Sequence, residues 1–180
     1  TPLTDPQRYQ TVYARPPGSA AAPTAGLHLT TELLSELTAA GVEVAPVELI
    51  VGLDTFAPVT EEDPEQHHIH TERYRVPAET MRQARHATRV VAVGTTAVRA
   101  LETAAANGAL EGRTDLFIRR GHDWKVVDVL LTNFHLPRTT LLMMVDAFIG
   151  PRWRRLYDTA LAEGYRFASF GDAMLLERVA

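Results

Sequence analysis

The chain contains no cysteine. Disulfide frameworks, thiolate metal sites and cysteine nucleophiles are therefore excluded, and a reducing compartment is acceptable. Long apolar runs are missing too: each hydrophobic stretch is interrupted well short of the roughly 20 residues that a membrane-spanning helix needs. Nothing at the front has the charged-then-apolar layout of a signal peptide. Charge of neither sign dominates, since 18 Lys and Arg against 22 Asp and Glu leave a net −4. A large non-specific nucleic-acid surface would show as a basic patch or stripe, and this balance argues against one. A shaped RNA held by a few local arginines stays compatible with it. An HExxH helix is also absent, and with no cysteine the closed ligand sets of structural zinc are out of reach.

What remains is the composition of an ordinary globular protein, 46 % hydrophobic over 180 residues, enough for a single domain with a real core. Its organising stretch is Lys125–Pro137, KVVDVLLTNFHLP. The Val- and Leu-rich opening reads as a strand covered on both faces. It breaks into Thr132-Asn133-Phe134-His135, then Leu136-Pro137, and the residue before a proline is pushed away from helical geometry. An amide, an aromatic ring and an imidazole are thereby placed in the turn leaving a buried strand, where open α/β sheets keep their ligands.

The rest alternates strands with helices, which makes the fold class α/β, with residues 1–180 as a single domain. Residues 1–25 are broken by Pro2, Pro6, Pro16, Pro17 and Pro23, with one strand-like piece at Tyr9–Tyr13. So long an unpaired approach implies that an upstream part is absent. Leu29–Ala40 has a leucine stripe, Thr30 or Thr31 as N-cap and Gly41 as stop. Val42–Leu53 alternates like a strand around a break at Pro46. A short strand at Tyr74–Val76 precedes a helix at Ala78–Ala87 with Pro77 at its first position. Strand Arg89–Val93 runs through Gly94-Thr95-Thr96 into helix Ala97–Ala106, ended by Asn107-Gly108. Thr114–Arg119 and Trp124–Leu131 read as strands joined near Gly121. Helices Thr139–Gly150 and Pro151–Glu163 follow, and Tyr165–Phe170 and Ala173–Leu176 read as closing strands.

Several features could carry chemistry. Gly94-Thr95-Thr96 is a strand–turn–helix junction whose unpaired N–H groups suit a carboxylate or phosphate, with Arg99 one turn further on. The bland alternative is a plain helix start, because the glycine richness of a P-loop is missing. His67 and His70, with His68 between and Glu72 beyond, have the residue types of a metal site, but polar loop histidines are the commoner explanation. His28 and His135 each follow a small polar cluster at an element boundary, and either could serve as a general base. Asp128 in an apolar run must be paired, edge-exposed or functional. Asp172 reads as a turn former or a ligand contact. Arg152, Arg154 and Arg155 offer a phosphate-contacting helix face or merely a solvated one.

Several segments together resemble one family, the S-adenosylmethionine:tRNA ribosyltransferase-isomerases of queuosine synthesis. They are RYQTVYA (8–14), PGSAAAPTAGLH (17–28), GLDTFAPV (52–59), HHIHTE (67–72), VVAVGTTAVRALE (90–102), TDLFI (114–118), KVVDVLLTNFHLP (125–137), TLLMMVDAFIG (140–150) and YRFASFGDAML (165–175). AAPTAGLH and LLTNFHLP are the most specific.

The resemblance implies a mixed sheet with flanking helices, an incomplete form of the family's barrel-like α/β domain. The family's separate β-barrel domain and the N-terminal half would be absent, leaving an exposed apolar surface where they should pack. It implies a cytoplasmic enzyme that moves the ribosyl skeleton of S-adenosylmethionine onto 7-aminomethyl-7-deazaguanine at the tRNA wobble position. Epoxyqueuosine forms, and adenine and methionine leave. The partners are tRNA and S-adenosylmethionine, which is substrate and not cofactor; no resident cofactor, metal or membrane is called for.

Carried over by position, His135 or His28 would be base or acid, with Asn133 orienting nearby groups. Thr95, Thr96 and Arg99, behind Gly94, would hold the methionine carboxylate or a phosphate. Phe56 and Phe134 would offer stacking surface for adenine or the deazaguanine. Thr24, Gly26, Thr55, His67, His70 and Glu72 would line the same cleft. Asp54 departs from the family's G-x-G-T-F turn, adding bulk and negative charge. Two other readings stay open: a related enzyme using S-adenosylmethionine on a free small molecule, and a non-catalytic half that docks tRNA or a partner chain.

Overall fold

A computed structural model describes residues 5–14, 19, 21–51 and 71–179. Asp54, Thr55, Phe56, His67, His68 and His70 lie outside the described residues. Among those described, six strands and five α-helices alternate along the chain, joined by two 3₁₀ turns at Pro6–Tyr9 and Thr24–His28. The α/β class holds. The strands form two small sheets and no closed barrel.

The first sheet is antiparallel, with β2 (Glu72–Arg75) between β1 (Glu48–Ile50) and β4 (Glu111–Thr114). The second is mixed: β5 (Val129–Asn133) pairs in parallel with β3 (Val91–Val93) and antiparallel with β6 (Ala173–Glu177). Helix α3 (Thr95–Asn107) packs against strands of both sheets, so it forms the axis of the molecule. Its small residues permit close approach, and Val98, Ala100, Leu101 and Ala104 are all buried. Gly94 makes the turn into it at φ +90° and ψ 149°, a region open essentially to glycine alone. Helix α4 (Thr140–Ile149) packs on β6 and on α5 (Arg152–Ala162), closing the core around Phe148 and Tyr157.

The two faces of the β3–β5–β6 sheet differ. Ala92, Leu130, Thr132, Met174 and Leu176 point into the core and are buried. On the other face the registered trio Val93, Leu131 and Leu175 runs from half-buried to 62 % exposed, and Val91 is 49 % exposed. Asn133 ends this open face.

Caps fall where the residue types place them. Thr30 caps α1 (Thr31–Ala39) and Thr139 caps α4, each hydroxyl accepting the N–H three residues on. Six expectations differ from the structure. Lys125, Val126 and Val127 do not join the strand, because the buried Glu102 carboxylate accepts all three of their N–H groups at 2.8–3.0 Å. Residues 115–119 are not a strand, since Thr114 Oγ1 accepts the Leu116 N–H and turns the chain. Tyr165–Phe170 is a tight loop, and Tyr9–Tyr13 is the end of a 3₁₀ turn and a further turn. Only Glu48–Ile50 of the Val42–Leu53 run pairs, and Pro77 is the cap of α2 (Ala78–His86), not its first residue. Asp128 is structural: its carboxylate accepts the Val90 N–H at 2.9 Å and faces Arg178 at 3.5 Å.

Candidate active site

Asn133 is the last residue of β5 and is buried. Its Oδ1 accepts the Thr24 hydroxyl at 3.1 Å. Its Nδ2 donates toward the carbonyls of Gly171 and Asp172 at 3.3 and 3.4 Å and lies 3.2 Å from His28 Nε2. Carbonyls can only accept, so the amide nitrogen is fixed on that side. His28 Nε2 must then be an acceptor in this contact, which places the proton of the neutral ring on Nδ1.

Three distant segments converge there. The Thr24–His28 turn closes on itself through Gly26 N–H to Pro23 O (2.8 Å) and Leu29 N–H to Gly26 O (3.1 Å). Gly26 is buried beneath the Tyr13 ring, where a side chain would collide with the Tyr13 hydroxyl. Gly94 donates its N–H to Leu131 O at 2.8 Å, and a Cβ built on it would lie 3.8 Å from that of Ala25. The α3 start therefore packs beside the Thr24–His28 turn. Thr95 is buried and Thr96 half-buried, and no side chain caps this helix.

The fourth wall is the loop 165–172. Asp172 Oδ2 accepts the Arg166 N–H at 2.7 Å, while the Asp172 N–H returns to Arg166 O at 2.8 Å. Phe134 O and N–H bind the same loop through Ala168 N–H and Asp172 O. A Cβ on Gly171 would lie 2.3 Å from Arg166 O, so only glycine lets the loop close this tightly. An open cleft of about 340 Å³ results, lined among others by Arg8, Leu27, His28, Arg166, Phe170 and Gly171.

Asn133, His28, Thr24 and Gly26 are thus brought together, with Gly94, Thr95 and Thr96 adjoining. Other expected members are not. His135 turns to Thr132, with Nε2 2.9 Å from its hydroxyl, and its backbone N–H donates to Tyr157 Oη. Burial pushes the His135 ring down to about 4 and the Tyr157 hydroxyl up to about 12. So low a basicity makes His135 a poor proton acceptor and a neutral structural ring.

Phe134 cannot stack a base, because it is 3 % exposed and wedged among Tyr157, Tyr165 and Phe167. Arg99 is buried in an ion pair with the equally buried Glu72, its Nε donates to Leu116 O, and its Nη2 has no hydrogen-bond partner among the described residues. Burial lowers its pKa, with the Glu72 carboxylate opposing. Glu72 accordingly binds α3 from β2 instead of lining the cleft.

Arg8, Arg166 and Phe170, in RYQTVYA and YRFASFGDAML, line the cleft without being singled out by residue type or spacing. Reading 165–170 as a strand hid them; the Gly171-Asp172 turn was the available signal. Among the described residues, no group of three or more His, Asp or Glu is arranged to hold a metal, and no helix is long and apolar enough to cross a membrane.

Fold and site together define an α/β domain whose ligand cleft lies at the strand ends beside an imidazole held by an amide. Residues 1–176 match the family model described as "Queuosine biosynthesis protein". The chain is 58 % identical over 169 residues to the S-adenosylmethionine:tRNA ribosyltransferase-isomerase of Rubrobacter xylanophilus, covering 93 % of this chain and 51 % of that protein. It is 57 % identical over 179 residues to the enzyme of the same name from Thermus thermophilus, covering 94 % and 52 %. A crystal structure of S-adenosylmethionine tRNA ribosyltransferase from Thermotoga maritima superposes with a TM-score of 0.68 at 46 % identity, over 84 % of this chain and 50 % of that one. The chain belongs to the queuosine biosynthesis protein family. It spans about half the length of the curated relatives it matches.

Proposed function

We propose that this chain carries the reacting site of an S-adenosylmethionine:tRNA ribosyltransferase-isomerase. In this reading it transfers and isomerises the ribosyl group of S-adenosylmethionine onto 7-aminomethyl-7-deazaguanine at the wobble position of tRNA. Epoxyqueuosine is the product, and adenine and methionine are released. The work belongs in the cytoplasm, and S-adenosylmethionine is consumed as a substrate, so no resident cofactor is required.

The observation that carries the reading is the Thr24–Asn133–His28 array, which joins the two most specific motifs and presents His28 to a cleft. A sulfonium acidifies the adjacent C5′ protons, and a neutral imidazole of fixed tautomer is a suitable acceptor for one of them. The Asn133 N–H groups have the Gly171 and Asp172 carbonyls as standing alternatives, so Nε2 can exchange the amide contact for the incoming proton at little cost. Thr95 and Thr96, at the uncapped start of α3, suit the methionine carboxylate.

Adenine release from S-adenosylmethionine, with tRNA bearing the wobble amine, tests this. His28→Ala is expected to lower release by about 10²-fold or more, the usual contribution of a positioned acid–base group. Unchanged release in that variant refutes the role of His28. Release that needs no RNA supports a small-molecule acceptor instead, and RNA binding without any release supports a non-catalytic half.

A further inference from the structure

The cleft beside His28 has a wall that proton abstraction does not use. Phe170 is 51 % exposed, and its ring is backed by Tyr9 with centroids 5.6 Å apart. Arg8 and Arg166 line the same cleft with Ser169. Arg8 forms no ion pair among the described residues. Arg166 faces Asp172 at 3.8 Å, beyond hydrogen-bond length, and its side chain stays 75 % exposed. The loop behind it is rigid, because Asp172 holds the Arg166 backbone at both N–H and C=O and Gly171 admits no side chain. A rigid loop thus projects an arginine and an aromatic face into solvent beside the reacting imidazole.

Building on the proposed function, we infer that this wall is the RNA subsite: Phe170 stacks an unpaired nucleobase at the wobble position, and Arg8 and Arg166 take the flanking phosphates. Single-stranded RNA is read by stacking on aromatic and guanidinium planes, with cations following the backbone. Charge decides between the two substrates. S-adenosylmethionine carries a sulfonium and an ammonium against one carboxylate, so a pair of guanidinium groups repels it, whereas a phosphodiester is a matched partner. In a chain of net charge −4 this local pairing of cations supplies an attraction that the overall balance does not.

The test measures binding of an anticodon stem-loop RNA bearing the wobble amine, by fluorescence anisotropy across a salt series, and binding of S-adenosylmethionine by equilibrium dialysis. Replacing Arg8 and Arg166 together by alanine should weaken RNA binding about tenfold or more and make the log K against log salt slope shallower by about 1.4, roughly 0.7 for each lost phosphate contact on a single strand. Phe170→Ala should weaken RNA binding about tenfold, and Phe170→Trp should restore it, since any π-face serves. S-adenosylmethionine binding should stay within about twofold throughout. RNA affinity unchanged in every variant overturns the subsite, as does S-adenosylmethionine affinity falling in step with RNA affinity. A wild-type chain that binds neither ligand removes the proposed function and this subsite with it; normal wild-type adenine release with indifferent variants removes the subsite alone.

Discussion

At the scale of single residues, His28 and His135 are alike in sequence and opposite in environment. Both follow short polar clusters at element boundaries, and that much is legible from the chain. What separates them is the Tyr157 hydroxyl and the surrounding burial, contributed by α5 more than twenty positions away. His135 has a measurable consequence. Its ring titrates near 4 in the folded chain against an ordinary 6.5, so the unfolded state binds more protons between those values. The contribution is fully present above pH 6.5 and lost as pH falls through about 4, and it amounts to roughly 3 kcal/mol. Urea unfolding of the wild type should therefore weaken markedly between pH 7 and pH 4.5. His135→Gln, which cannot titrate, should flatten that part of the profile; an equally steep profile in the variant would assign the loss elsewhere.

Among elements, the helices were readable and two loops were not, for one physical reason. Helix ends announce themselves through short-range chemistry, as with Thr30, Thr139 and the left-handed Gly108. The segments 125–127 and 165–170 have strand-like composition, but a carboxylate from elsewhere captures their backbone donors first. Glu102 does so for the approach to β5, and Asp172 for the loop over the cleft. Such capture is invisible to periodicity, because it depends on which side chain arrives.

Glu102 offers the sharper test. In Glu102→Gln the amide oxygen can keep Val126 and Val127, but its NH₂ then faces the Lys125 N–H. Leaving a buried donor unpaired and discharging the acceptor should cost about 2 kcal/mol. Urea unfolding reads the loss, and hydrogen exchange should locate it with the Lys125 amide losing more protection than Val127. A variant as stable as the wild type would show that the carboxylate is not what holds this turn.

For the molecule as a whole, the open face of the β3–β5–β6 sheet stands out. Val91 and Leu175 present apolar surface on neighbouring positions around β5, and Leu131 and Val93 continue it toward Asn133. Exposed apolar side chains thus lie side by side on this face. A hydrophobic dye should fluoresce on binding the chain, and Leu175→Asp should cut that signal by about half. The same change should leave stability within about 0.5 kcal/mol, since the side chain is mostly in water. Dye binding that ignores the substitution would place the apolar surface elsewhere.

The Asn133 amide ties a turn near the front of the chain to a loop near its end, across sequence separations of 105 and 38 residues. A polypeptide emerging from the ribosome therefore cannot assemble the cleft until the 165–172 loop has been made, even though α3 is available earlier. Shortening the chain before Asp172 would leave much of the hydrophobic interior able to collapse while erasing the place where substrate is held.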